Sequence, residues 1–270
     1  MQIIMFTKML KNVGELPLAE AAKLISQMGF SGADLTVRRA GYVDPMRAKQ
    51  DLPMAVEILR SEGLDVPLIT TEIVDPEPPW VEDVYRAAGE LAIPFLKLGY
   101  YGYRGFGNLE RQIAETRGHL SGLAFLSEEY GVASVIHMHS GRRLNADAAV
   151  VRRLLSGFDP QHLAAYIDPG HMVLEGGVSG WEIGMDLLAD WIRVVAVKDF
   201  GWVRQGSTWV VRHFPLSEGL VPWDKVLKIL RAIGFEGPMS IHSEYPDLGI
   251  DGLVEQTKRD LEYLRSLLSD

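Results

Sequence analysis

The chain has 270 residues, with 27 Lys plus Arg against 36 Asp plus Glu, a formal net charge of −9 and no cysteine. That length suits one large domain, since a closed eight-fold β/α barrel has about 250 residues. The acidic balance runs against a nucleic-acid partner, which calls for a basic excess. The missing cysteines exclude disulfides, thiolate nucleophiles and Cys-based zinc or iron–sulfur sites. Any metal therefore rests on His, Asp, Glu, carbonyls or water. The opening MQIIMFTKML carries no signal-peptide h-region, and no apolar run reaches about 18 residues. The expectation is a cytoplasmic globular protein with no membrane partner.

Along the chain, short β-branched and apolar runs alternate with longer amphipathic ones. The patterns predict strands at Gln2–Phe6, Ala33–Val37, Val66–Thr71, Phe95–Tyr100, Ala133–His139, Leu163–Asp168, Val194–Asp199 and Met239–His242. Helices are predicted near 17–28, 47–62, 80–91, 108–129, 145–156, 180–190, 222–233 and 251–268. Asn145 is the expected N-cap of the helix over Ala146–Leu155, and Asp251 that of the last helix. Gly29, Gly63, Gly131 and Gly234 each stand between a helix and the next strand, where a C-cap glycine belongs. The segment Asp75–Pro79 reads as a rigid loop within one unit, and no linker divides the chain. Eight strand–helix alternations point to an α/β fold, a single (β/α)8 TIM barrel over residues 1–270.

In such a barrel the site lies at the C-terminal strand ends. Polar residues there become candidates. Five of the seven histidines fall at this face: His137 and His139 after strand five, His171 after strand six, His213 in the strand-seven loop and His242 ending strand eight. His-x-His on a strand places both rings on one side. Asp168, Lys198, Asp199, Glu244 and Glu72 also end strands, whereas Asp34 and Lys8 read better as structural groups. Aromatic residues crowd two loops, with Trp202, Trp209, Phe200 and Phe214 after strand seven and Tyr100, Tyr101 and Tyr103 after strand four. They suit the wall of a sugar-sized site. No phosphate-cradling glycine motif is evident.

The runs GVASVIHMHSG, YIDPGH, VVAVKDF and PLSEGLVPWDKVLKILRAIGFEGPMSIHSEY resemble the xylose isomerase-like TIM barrels, a family of sugar and sugar-phosphate isomerases and epimerases. The resemblance covers nearly the whole chain. It implies one divalent metal held by a Glu ending strand five, an Asp ending strand six, a His ending strand seven and a Glu ending strand eight. The two glutamates then move a proton beside the carbonyl. At those positions this chain has His137, Asp168, Ala196 and His242. Carried over, the resemblance implies zinc, manganese or iron on His137, Asp168 and His242. Glu72, His139, Lys198 and Glu244 are then the candidates to replace the lost acid/base pair. His171, Tyr101, Trp202 and His213 are the expected substrate contacts.

The implied function is a metal-dependent isomerase or epimerase of a sugar or sugar derivative, with a small-molecule carbohydrate as partner and a homo-oligomer as its state. Two alternatives stand beside it: a cyclitol or keto-sugar dehydratase, and a non-catalytic carbohydrate-binding barrel. A third reading is loss of the metal, with Lys198 acting electrostatically or as a Schiff-base amine. The family also contains zinc-dependent apurinic endonucleases. VRHFPLSEG matches the His of their late Asp-x-His pair at His213 but has Val211 for the Asp. With the acidic charge, that argues against DNA repair.

Overall fold

A computed structural model describes residues 1–245 and 247–269. Eight parallel strands close into a barrel. They are β1 (Gln2–Phe6), β2 (Gly32–Thr36), β3 (Asp65–Thr70), β4 (Phe95–Lys97), β5 (Ala133–His137), β6 (Leu163–Ile167), β7 (Ile192–Val197) and β10 (Pro238–Ile241). Strand β10 lies between β1 and β7, pairing Ser240 with both Ile4 and Ala196, and so closes the ring.

Around the barrel lie α1 (Lys8–Asn12), α2 (Leu18–Gln27), α3 (Ala48–Ser61), α4 (Pro79–Glu90), α5 (Leu109–Tyr130), α6 (Ala148–Leu155), α7 (Pro169–Leu188), α8 (Trp223–Ala232) and α9 (Ile250–Ser269). Alternation along each strand separates two cores. Ile4, Leu68, Val135, Val194 and Tyr166 fill the barrel, with Ala164 and Ala196 leaving room for the tyrosine ring. Ile3, Met5, Leu35, Ile69 and Ile136 face the helices. Each such side chain contributes about 1.5–3 kcal/mol on burial.

The four repeated glycines stop helices as expected: Gly29, Gly63, Gly131 and Gly234 all have positive φ, between 66° and 91°. That left-handed backbone is nearly free for glycine and strained for other residues.

Two local expectations are corrected. The cap of α6 is Asp147, whose carboxylate accepts the Val150 amide at 3.0 Å. Asn145 is instead buried and donates from Nδ2 to the His137 carbonyl. Asp251 lies inside the first turn of α9, which begins at Ile250. Helix α7 is broken at Gly177 (φ 59°), and its second half is the helix expected near 180; a first half from Pro169, capped by Asp168 through the His171 amide at 3.1 Å, precedes it.

The aromatic loop after β7 is an antiparallel hairpin, β8 (Asp199–Gln205) with β9 (Thr208–Phe214). The PLSEGLVPW run then folds back onto Asp199. That carboxylate accepts the amides of Phe200, Leu220 and Val221 and the indole N–H of Trp223, at 2.7–3.1 Å for the nearer oxygen of each. Gly219 is required here, because a Cβ would stand 2.0 Å from the Asp199 side chain.

Candidate active site

Strand ends deliver the polar groups to one mouth. Asp168, at the end of β6, is fully buried. Its Oδ2 receives the Lys198 ammonium at 3.1 Å and His137 Nε2 at 3.1 Å. Lys198, just after β7, also reaches Glu244 Oε2 at 3.2 Å. Glu244 Oε1 is in turn paired with Lys8. The resulting network, Asp168–Lys198–Glu244–Lys8, runs across the barrel mouth.

Burial works against the charge of Lys198, but Asp168 and Glu244 outweigh it and hold its pKa above the ordinary lysine value. Burial also opposes charge on Asp168, yet Lys198 carries that carboxyl below its usual range. Glu244 lies well below it for the same reason, with Lys8 and His242 adding to Lys198. These three groups are therefore charged at neutral pH.

The histidines differ. A carboxylate only accepts, so His137 Nε2 donates to Asp168, and Nδ1 accepts from the Tyr100 hydroxyl at 3.1 Å. His137 is thus neutral with a fixed tautomer. Burial first, then the Lys198 charge, puts its pKa well below the ordinary value. His139 Nδ1 lies 2.9 Å from the Ser140 carbonyl, so Nδ1 carries the proton and Nε2 keeps a free lone pair. Burial and Lys198 lower His139 to about 4. His171 takes Ser140 Oγ at Nδ1, 2.8 Å away. Its buried Nε2 has no hydrogen-bond partner among the described residues and sits 3.7 Å from Asp168. Burial lowers His171 strongly.

Above the network opens a cavity of about 200 Å³, lined also by Phe6, Thr70, Tyr100, His137, His139 and His242. A wider compartment of about 450 Å³ adjoins it and shares Arg38, Lys97, Tyr100 and Arg143.

The expected residues divide accordingly. His137, His139, Asp168, His171, Lys198 and Glu244 are brought together. His213 stands at the edge, half-buried, with Nε2 3.8 Å from Glu244. Glu72 is exposed and lines only the outer compartment. Tyr101 turns away from the cavity into the apolar core, where its hydroxyl donates to the Val74 carbonyl. Its neighbour Tyr100 faces the cavity instead. Trp202 lies on the hairpin, half exposed, and does not line the cavity.

Lys97, Arg38 and Arg143 also line the mouth, beyond the residues the sequence pattern picks out. Lys97 does end a strand, so the strand-end rule covers it. Arg38 and Arg143 sit in loops among other arginines and carry no such signal.

The metal expectation does not fit these donors. Asp168 Oδ2 is taken by the ammonium and an imidazole N–H. His242 Nε2 is engaged by the Tyr166 hydroxyl at 2.9 Å, and Ala196 has nothing to offer. Among the described residues, no three His, Asp or Glu side chains are arranged to hold an ion. A cation already sits against Asp168, and it is the chain's own lysine.

Among the described residues, no helix is long and apolar enough to cross a membrane. No curated protein matches the chain in sequence. Solved structures do match in fold. A 3-keto-D-glucoside 4-epimerase from E. coli is 15% identical with a TM-score of 0.72, over 98% of this chain and 99% of its own. D-psicose 3-epimerase with D-tagatose, from Clostridium cellulolyticum H10, is 11% identical with a TM-score of 0.71, over 99% of both chains. A xylose isomerase-like TIM barrel protein from Mycobacterium smegmatis, in complex with magnesium, is 12% identical with a TM-score of 0.72, over 99% of this chain and 97% of its own. The family model of the xylose isomerase-like TIM barrel matches residues 22–267, and the chain belongs to that family.

Proposed function

We propose that the barrel mouth isomerises or epimerises a small carbohydrate or carbohydrate acid, with Lys198 as its fixed cation. The observation that carries this is the buried ammonium held between Asp168 at 3.1 Å and Glu244 at 3.2 Å beneath the cavity. The solved relatives that act on sugars support a carbohydrate substrate.

The chemistry follows from the groups present. A base removes the proton from the carbon beside a carbonyl, and the C–H electron pair moves into the carbon skeleton as negative charge develops on the carbonyl oxygen. Lys198 stabilises that oxyanion in a site of low dielectric, a contribution on the order of 10²–10³ in rate. His139 Nε2, with its free lone pair on the cavity, takes the proton. Protonation of the same carbon from the opposite face, by water entering the open cavity, gives the epimer. Returning the proton from His139 to the neighbouring carbon, while the adjacent hydroxyl proton passes to the former carbonyl oxygen, gives the isomer. Positioned acid–base catalysis contributes about 10²–10⁴. The neutral His137, clamped by Tyr100 and Asp168, keeps the carboxylate oriented toward Lys198.

A panel of ketoses, aldoses and their acids, incubated in D₂O and followed by ¹H NMR, tests this. The expected result is deuterium at a carbon beside the carbonyl and a product of otherwise equal mass. Lys198→Met and His139→Phe should each slow the exchange at least 100-fold. A product lighter by one water would replace the reading with a dehydratase, and bound sugar without any exchange would replace it with a binding barrel.

A further inference from the structure

The chain carries a formal charge of −9, yet its mouth is cationic. Lys8, Arg38, Lys97, Arg143 and Lys198 all line the inner cavity, and Glu244 is the one carboxylate beside them among the described lining residues. Glu244 is consumed by Lys8 and Lys198, and Asp168 by Lys198. Arg38, Lys97 and Arg143 are left over, and among the described residues none of the three forms an ion pair.

The three stand close together. The Lys97 ammonium lies 3.7 Å from the centre of the Tyr100 ring, and the Arg143 guanidinium carbon 4.1 Å from the same centre. Lys97 is 3% exposed and its only hydrogen bond among the described residues is a long one, 3.4 Å to the Thr71 carbonyl. Arg143 Nη1 is buried without a hydrogen-bond partner among the described residues. A buried, unpaired cation is costly, and the two like charges over the Tyr100 ring, with Arg38 lining the same cavity, repel. Structural salt bridging does not account for them. A ligand of opposite charge does.

We propose that the substrate carries an anionic group, a carboxylate or a phosphate, that docks between Arg38, Lys97 and Arg143, where the inner cavity meets the outer compartment. Arg143 offers the fork geometry that suits either oxyanion, and Lys97 offers a point charge. The inner cavity then receives the reacting carbons above Lys198. This rests on the isomerase or epimerase reading for what happens at Lys198, but the anion site stands on its own residues. Glu72, also on the outer compartment, opposes it and is exposed to solvent.

A matched ligand series tests it by isothermal titration calorimetry on the intact protein: D-glucitol, D-gluconate and D-glucitol 6-phosphate. At least one anion should bind 10-fold or more tighter than glucitol, and its affinity should fall as NaCl rises. The tighter of the two tells carboxylate from phosphate. Arg38→Met with Arg143→Met should remove the preference. Circular dichroism of that double variant checks that it folds, and Lys97→Met alone should weaken anion binding at least 5-fold if the double variant does not. Glucitol binding as well as both anions, no measurable binding of either anion, or an unchanged preference in the folded variants overturns the proposal. Lys198→Met separates the two readings. If anion preference holds while no sugar ever exchanges a proton, the reaction fails and the anion site survives. If exchange occurs on neutral sugars with no anion preference, the reverse holds.

Discussion

Replacing Lys97 with methionine tests the energetics of the mouth directly. Burial brings the ammonium from 10.5 down to about 7, with Arg38 and Arg143 lowering it further and Asp34 and Glu72 acting the other way. Below pH 7 both folded and unfolded chains hold the proton, and the full cost of the buried charge is felt. Between about pH 7 and about pH 10.4 the unfolded chain still holds a proton that the folded chain has released, so stability rises with pH. At about 1.4 kcal/mol per pH unit the interval corresponds to on the order of 5 kcal/mol. Methionine forfeits the contact with the Tyr100 ring, worth about 1–2 kcal/mol, so the expected net gain of Lys97→Met is about 2–4 kcal/mol at pH 6. Most of that gain should vanish by pH 10. Urea unfolding of both proteins across pH 6–10 gives the difference free of other titrating groups. A variant less stable than the parent at pH 6, or a difference that does not change with pH, refutes the reasoning.

Other expectations follow from the same contacts. Asp199→Ala strands three backbone amides and the Trp223 indole N–H, and should destabilise the protein by about 3 kcal/mol or more in urea unfolding. Gly219→Ala forces its new Cβ onto Asp199 and should cost about 1–3 kcal/mol by the same assay. Lys198→Met leaves Asp168 and Glu244 facing each other without their shared cation and should lower stability by about 3–5 kcal/mol. Because Lys198 occupies Asp168, exhaustive chelation and then manganese addition should each leave the melting temperature unchanged, as read by calorimetry; a manganese-dependent rise would show that the donors rearrange around an ion. Binding of the tighter anion at pH 8 should take up protons, measured in buffers of different ionisation enthalpy, and Lys97→Met should abolish that uptake.

The sequence alone determined the architecture, because periodicity is local. Alternating apolar residues and the glycine stops mark eight units, and the chemistry of closure admits few other solutions. Its strand-end rule also found His137, His139, Asp168, Lys198 and Glu244, since every barrel strand delivers its last side chains to one face. The hairpin β8–β9 was hidden, because a loop rich in tryptophan gives no strand period until its register is set. The loop aromatics do not show which of Tyr100 and Tyr101 faces the cavity; it is Tyr100, and Tyr101, one residue on, turns into the core. Only the tertiary structure decided where Lys198 sits. Spacing along the chain places Asp168, Lys198 and Glu244 on three different strand ends, and the ammonium lies between the two carboxylates because barrel closure brings β6, β7 and β10 side by side. The same closure gathered Arg38, Lys97 and Arg143 from separate loops and strands onto one cavity wall beside Tyr100. Charge at that mouth is a sum over distance, and distance between remote residues is what a sequence does not contain.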